Sequence, residues 1–160
     1  MMAVGLGRED AESYLAKLTK GKVVVACVNS PSSATVSGDQ AAMAELEQLL
    51  AEEKVFARAL NVRVAYHSHH MNAVAGEYRA ALPTTLGTKR RFTDGVLYAS
   101  PATGGRIADA SAMGREHWIR NLLQPVEFLG ALRNICLDPS TGGKQVDMLV
   151  EVGPHGTLAG

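Results

Sequence analysis

The residues best suited to chemistry are concentrated near the middle of the chain. His67, His69 and His70 are three of its five histidines and fall within four positions. A neutral imidazole exchanges a proton near neutral pH, so one of these side chains could act as a general base. Apolar and polar residues alternate over residues 60–66, which predicts a strand, and α/β enzymes commonly place catalytic groups where strands end. Ordinary surface or core histidines are the alternative interpretation.

The same histidines could also hold a metal ion. His67 and His69 are two residues apart, so on a strand their side chains would point to one side and could chelate. Zinc would then need a third and usually a fourth ligand. The remaining histidines, His117 and His155, belong to no recognisable metal motif, and the two cysteines form no pair. We therefore expect no metal site, and a histidine-cluster metalloprotein is the weaker alternative.

A nucleophile to accompany a histidine base is not evident. The Gly-x-Ser-x-Gly signature of a nucleophile on a strand–turn–helix does not occur in the sequence. Ser68 is adjacent to His69, and neighbouring side chains on a strand point to opposite faces. Ser30, Ser32 and Ser33 are more typical of a turn. No glycine-rich segment has phosphate-binding spacing either.

Composition excludes several classes of protein. The 160 residues suffice for about one domain, and the 46% hydrophobic and 20% charged fractions exclude a wholly disordered chain. Sixteen basic residues balance 16 acidic ones, which gives no sign of a nucleic-acid surface, and Lys89–Arg91 is expected to be a solvated loop. No membrane span or signal peptide is recognisable. We expect a cytoplasmic protein in which Cys27 and Cys136 stay reduced, with neither nucleic acid nor membrane as a partner.

The pattern of elements differs between the two halves of the chain. The first half predicts strands at 2–6, 22–28, 34–37 and 60–66, with helices at 8–18 and 40–53 and Asp39 as the N-cap of the second helix. This β-α-β-β-α-β order is typical of a ferredoxin-like unit. The second half predicts helices at 71–82, 111–122 and 125–136 and strands at 96–100 and 146–152. Strands separated by helices indicate part of a parallel α/β sheet.

Five segments carry a family resemblance in order and spacing. Together they resemble the acyltransferase domain of type I polyketide synthases, especially the iterative fungal kind, over essentially the whole chain. The segments are residues 26–31, 35–39, 64–71 and 117–128, the last including Pro125-Val126-x-Phe128, and 150–155.

The resemblance implies a fold and an activity. Residues 1–64 would be a ferredoxin-like small subdomain and residues 65–160 the C-terminal part of an α/β-hydrolase-like large subdomain, with the active site between them. The activity would be transfer of an extender unit, usually malonyl, from coenzyme A to the phosphopantetheine of an acyl carrier protein through an acyl-serine. The partners would be malonyl-CoA, the carrier protein and other domains of a multidomain synthase for secondary metabolites. The domain would need no cofactor of its own.

The resemblance also assigns roles to residues. His69 would be the catalytic base, and the backbone carbonyl of Asn121 would orient its imidazole. The residues lining the substrate side of the cleft would be Tyr66, His67, Ser68 and, from the small subdomain, Asn29. The nucleophilic serine would lie upstream of Met1, so the isolated chain is expected to be inactive.

Two points stay open at the level of sequence. The motif at residues 66–69 mixes features of bacterial malonyl and methylmalonyl motifs, so either extender unit remains open. A non-catalytic ferredoxin-like docking module is the competing class of function. Such a module would have no need for His69 or Asn121.

Overall fold

The computed structural model describes residues 1–87, 92 and 95–153. The predicted Lys89–Arg91 loop and His155, the last residue of the family resemblance, lie outside the described residues. No helix in the described part of the chain is long and apolar enough to cross a membrane.

The first half of the chain forms a four-stranded antiparallel sheet with two helices. In chain order the elements are β1 (Met2–Val4), α1 (Arg8–Leu15), β2 (Val23–Ser30), β3 (Ser33–Gly38), α2 (Gln40–Glu52) and β4 (Ala57–Ala59). The strands lie side by side in the order β2-β3-β1-β4. A run of β-branched residues forms β2, and the turn at Pro31-Ser32 returns the chain into β3.

The hydrophobic core of this half lies between the sheet and the two helices. The strands contribute alternating residues, whereas α2 contributes residues four apart, which share one face of a helix. The fully buried members are Met2, Val4, Ala34, Val36, Ala42, Leu46 and Leu50. Burying a leucine side chain is worth roughly 1.5–3 kcal/mol, so Leu46 and Leu50 hold α2 against the sheet.

The strand predicted at residues 60–66 is wrong. In the structure β4 ends at Ala59, opposite Met2 of β1, and the following residues form bends and turns. One further backbone bond, from the Leu60 amide to the Met1 carbonyl at 3.0 Å, ends this pairing. The alternating side chains after it have no neighbouring strand among the described residues, and Val62 and Val64 are exposed.

The second half is mainly helical, with one very short hairpin. Its elements are α3 (Asn72–Ala81), β5 (Tyr98–Ala99), β6 (Arg106–Ile107), α4 (Arg115–Leu123) and α5 (Phe128–Cys136). The three helices confirm those predicted, with boundaries that shift by at most four residues.

The parallel sheet predicted for this half is wrong. The strands β5 and β6 pair antiparallel with each other, and residues 146–152 form no strand. No strand in the described part of the chain lies beside that segment, so its backbone has no ladder to join, and Met148, Val150 and Val152 are at least 75% exposed. The chain is thus mixed α/β, with small sheets and five helices among the described residues.

The two halves meet at the free edge of β2. Val126 lies parallel to Cys27, its amide donates to the Ala26 carbonyl at 2.7 Å, and its carbonyl accepts from the Val28 amide at 2.8 Å. An ion pair between Arg8 and Glu127 lies beside this bridge. The residues between β4 and α3, which include the histidine cluster, therefore lie close to the junction between the halves.

Candidate functional site

A single turn of 3-10 helix, His69–Met71, sets the position of the histidines. Ser68 precedes it as the N-cap: its hydroxyl accepts from the His70 amide at 3.3 Å and donates to the Ala65 carbonyl at 2.6 Å. Met71 is buried beneath the turn. His67 has a φ of 57°, a left-handed conformation that costs a non-glycine residue about 1–2 kcal/mol. This sharp change of direction separates the His67 ring from those of His69 and His70.

The rings of His69 and His70 meet on one carboxylate. Oδ1 of Asp39 lies 2.9 Å from Nε2 of His69 and 2.8 Å from Nε2 of His70, and the ring centroids are 4.4 Å apart. An ionised carboxylate only accepts hydrogen bonds, so both Nε2 atoms carry a proton in this arrangement. Neutral His69 then has its basic lone pair on Nδ1, a buried atom without a hydrogen-bond partner among the described residues.

The Asp39 carboxylate is fixed from its other side. The Lys22 amide donates to Oδ2 at 2.7 Å. This backbone bond, followed by those from His70 and His69, lowers the pKa of Asp39 to about 2, so the carboxylate stays charged across the physiological range. Gly21 permits the approach, because a Cβ on it would lie 2.6 Å from Oδ2 and its φ is +141°.

His69 lies at the wall of a cleft between the two halves. The cleft has a volume of about 350 Å³. The first half contributes Lys22, Val24 and Val25, and the second half contributes His67, Ser68, His69, Asn72, Leu123, Gln124 and Pro125. The His69 side chain is 30% exposed to the cleft, although its Nδ1 is buried.

The structure brings only some of the predicted site residues together. His67, Ser68 and His69 line the cleft. Tyr66 is exposed and is not among the cleft residues, and Asn29 is exposed on β2, where its amide donates to the Thr35 hydroxyl at 3.3 Å.

Asn121 lies on an exposed position of α4, close to the end of the helix that borders the cleft. The carbonyl from this segment that meets a histidine is that of Gln124, at 3.2 Å from Nδ1 of His67. The role assigned to the Asn121 carbonyl stays a prediction.

Sequence reasoning missed the part played by Asp39. The sequence predicts a helix N-cap there, and Asp39 does hold that position, but its side chain makes no capping bond to α2 and binds Lys22 and the histidines instead. The only sequence signal is an acid directly after a strand and a glycine, which is also the signature of an ordinary cap.

The second half of the chain also contains a buried serine–histidine pair, and its role is structural. Oγ of Ser100 lies 3.4 Å from Nε2 of His117, but the two residues are only 1% and 8% exposed. Burial lowers the pKa of His117, followed by the Arg120 charge, which favours the neutral ring. The Ser100 hydroxyl also accepts from the Ala102 amide at 3.2 Å, so the pair braces the turn between β5 and β6 against α4.

The chain matches the family model described as acyl transferase domain over residues 1–160. It is 52% identical, over 165 aligned positions, to the highly reducing polyketide synthase poxF of Penicillium oxalicum, and 46% identical, over 167, to the squalestatin tetraketide synthase of Phoma sp. (strain C2932). Each alignment covers 100% of this chain and 6% of the relative, so the chain spans a small part of the curated relatives that it matches.

Solved structures agree with this similarity. The acyltransferase domain from module 8 of the salinomycin polyketide synthase superposes with a TM-score of 0.73 at 28% identity. The match covers 84% of this chain and 30% of that one.

Proposed function

The chain belongs to the acyl transferase domain family, and on that premise we propose that it forms part of a polyketide synthase acyltransferase domain that transfers a malonyl extender unit from coenzyme A to an acyl carrier protein. One observation carries the proposal to particular atoms. His69, the residue that the family resemblance marks as the base, lies in a cleft between the two halves and is held through one ring nitrogen by a charged carboxylate. A ring bonded in this way keeps a basic lone pair on its other nitrogen, Nδ1. That atom is buried in this structure, so general base catalysis would require the ring to turn Nδ1 towards the cleft.

The cleft is proposed to separate two subdomains. Residues 1–64 would form a ferredoxin-like small subdomain, which the antiparallel strand order β2-β3-β1-β4 supports. Residues 65–160 would be the C-terminal part of a larger α/β-hydrolase-like subdomain. The turn that carries His69 directly follows the boundary between them, so substrate binding and closure of the two parts would act on the same side chain.

The proposed reaction has two transfers with one base. A serine hydroxyl attacks the malonyl thioester carbonyl, His69 accepts the hydroxyl proton, and the proton then passes to the departing coenzyme A thiolate. In the second transfer, His69 removes the proton from the phosphopantetheine thiol, which attacks the acyl-serine ester, and the proton returns to the serine oxygen. The sequence has no nucleophile motif, so the serine would come from a part of the domain outside these 160 residues.

The other assigned residues complete the proposal. Tyr66, His67 and Ser68 would wall the acyl pocket, and Asn29 would face it from the small subdomain. The Asn121 carbonyl would orient His69 in the complete domain. The phosphopantetheine belongs to the carrier protein, so this chain would supply binding and proton transfer without a cofactor of its own.

The matched pair His69→Ala and His70→Ala tests the proposal. Both rings contact the same oxygen of Asp39, so both variants lose one hydrogen bond to it, but only the first loses the proposed base. In the complete domain we expect His69→Ala to slow malonyl transfer roughly 10²- to 10⁴-fold, with His70→Ala far less affected. Transfer is measured as mass gain of the carrier protein, with circular dichroism as a check on folding. Equal losses in the two variants would show that His69 is not the base.

A further inference from the structure

Three side chains converge at the edge of the cleft with atoms that bind transition metals. Oδ1 of Asp39 lies 2.9 Å from Nε2 of His69 and 2.8 Å from Nε2 of His70, and one potential ligand atom from each of the three residues lies within 4.8 Å of the other two. Imidazole nitrogen and carboxylate oxygen are both zinc ligands, and two nitrogens favour zinc over magnesium or calcium. The sequence predicts no metal here because Asp39, the third ligand, is 30 residues from His69.

The cluster is held in place by bonds outside the three ligands. The Lys22 amide fixes the far oxygen of Asp39, and the Ser68 hydroxyl fixes the turn that carries both histidines. Outer bonds of this kind orient metal ligands and strengthen binding. The three ligands therefore come from two rigid segments, the start of α2 and the turn before α3.

The protons of the cluster can rearrange for a metal. A metal needs the lone pair on Nε2, so each ring must carry its proton on Nδ1 instead. Nδ1 of His69 has no hydrogen-bond partner among the described residues, so no existing hydrogen bond has to break when this atom gains the proton. If both rings are neutral, each proton moves to the other nitrogen of its own ring and none is released. The charged Asp39 carboxylate then contacts the cation, where it previously accepted hydrogen bonds from two N–H groups.

The cluster is also accessible. The His70 side chain is 46% exposed and that of His69 30% exposed, so an ion can enter from solvent. Three protein ligands leave the fourth position of a tetrahedral ion for water.

We propose that Asp39, His69 and His70 form a binding site for Zn²⁺, and that the bound ion blocks acyl transfer by occupying His69. The binding of the ion depends only on the three ligands. The block rests on the proposed function, because it requires His69 to be the base.

Direct titration tests the site. The 160-residue chain is titrated with Zn²⁺ by calorimetry and with Co²⁺ by visible absorption, which reports the ligand set. We expect one ion per chain. His70→Gln removes an exposed ligand. Loss of a residue that only hydrogen-bonds to a ligand weakens metal binding roughly 10- to 100-fold, so loss of the ligand itself should weaken binding by more than that. His67→Gln is the matched control, because that ring bonds to Gln124 outside the cluster, and it should bind as the parent does.

Two results would overturn the site: no stoichiometric binding by the parent chain, or binding by His70→Gln equal to that of His67→Gln. Asp39→Asn supplies a second variant that removes a ligand. If that variant unfolds, the His70→Gln variant still tests the site, because His70 is exposed and its replacement should leave the fold intact. In the complete domain Zn²⁺ should stop malonyl transfer, and a chelator should restore it. If Zn²⁺ binds in the cluster without slowing transfer, the metal site stands and the role of His69 as base fails. If no metal binds, the metal site fails and the test of His69 by substitution is unaffected.

Discussion

Replacing Gly38 by alanine should disturb the sheet and the site together. A Cβ at this position would lie 2.1 Å from the Lys22 carbonyl oxygen and 2.7 Å from the Val23 Cα. Both are backbone atoms at the entry to β2, from its first residue and the one before it, so relief requires β2 and β3 to separate. The Asp39 amide donates to that same Lys22 carbonyl at 2.9 Å, and the separation would weaken this bond as well.

The expected cost of Gly38→Ala follows from this overlap. Forcing a methyl group into a packed interior typically costs about 1–3 kcal/mol, and here the obstacle is backbone, so we expect the upper part of that range. Gly76→Ala is the matched control. Gly76 lies inside α3, where an added Cβ meets nothing within 4 Å, and alanine is better in a helix by roughly 0.5–1 kcal/mol. The same substitution should therefore have opposite signs at the two positions.

The assay is urea unfolding of the 160-residue chain, monitored by circular dichroism. At about 2–4 °C per kcal/mol, parallel thermal melts should separate the two variants clearly. Gly38→Ala should also weaken any interaction that depends on Asp39, because the displaced residue is its chain neighbour. A Gly38→Ala variant as stable as the parent would refute the packing of β2 against β3 described above, and destabilisation by Gly76→Ala would refute the open environment of α3.

Two further predictions concern the site. The pKa of Asp39 falls from an ordinary value near 3.9 to about 2 in the folded chain, so its contribution to stability is complete above the ordinary value and is lost as the pH falls towards 2. Asp39→Asn should remove this part of the acid sensitivity, which is measured as the urea midpoint between pH 2 and pH 5. An unchanged acid profile would contradict the assignment. Ser68→Ala removes both hydroxyl bonds of the turn and should cost about 0.5–2 kcal/mol by the same urea assay. Ser140→Ala removes one hydroxyl bond, to Asp138 on an exposed loop, and should cost less; equal effects would argue against the N-cap.

Local patterns in the sequence predict the elements whose partners are near in the chain. The stripe of α2 predicts a helix ending near residue 53, and the helix ends at Glu52. The hairpin of β2 and β3 follows from a β-branched run, a proline–serine turn and a second short run. In each case the hydrogen-bonding partner is a neighbour in sequence, so local chemistry is sufficient.

Pairing over long distances could not be predicted in the same way. Residues 60–66 and 146–152 have strand-like composition, but a strand also needs a neighbour, and none lies beside either segment in the described part of the chain. Composition measures only whether a side chain suits a sheet. Whether the backbone of such a segment pairs with another strand depends on residues far away in the sequence, which the local pattern does not contain.

The same distinction applies to the site. His67, Ser68 and His69 are close in sequence and reach the cleft together, although on the predicted strand Ser68 and His69 would have faced opposite sides. Asp39 reaches His69 only because α2 begins beside the turn before α3, and locally it resembles a plain helix cap. A contact between residues 30 positions apart requires the fold.

The location of the acyl-enzyme tests the proposed function most directly. The complete domain and the 160-residue chain are each incubated with radiolabelled malonyl-CoA, and the labelled peptides are sequenced. We expect one label per complete domain, on a serine outside these 160 residues, and no covalent label on the isolated chain. Stoichiometric labelling of a serine within the chain would contradict both the absence of a nucleophile motif from this sequence and the family resemblance that makes His69 the base.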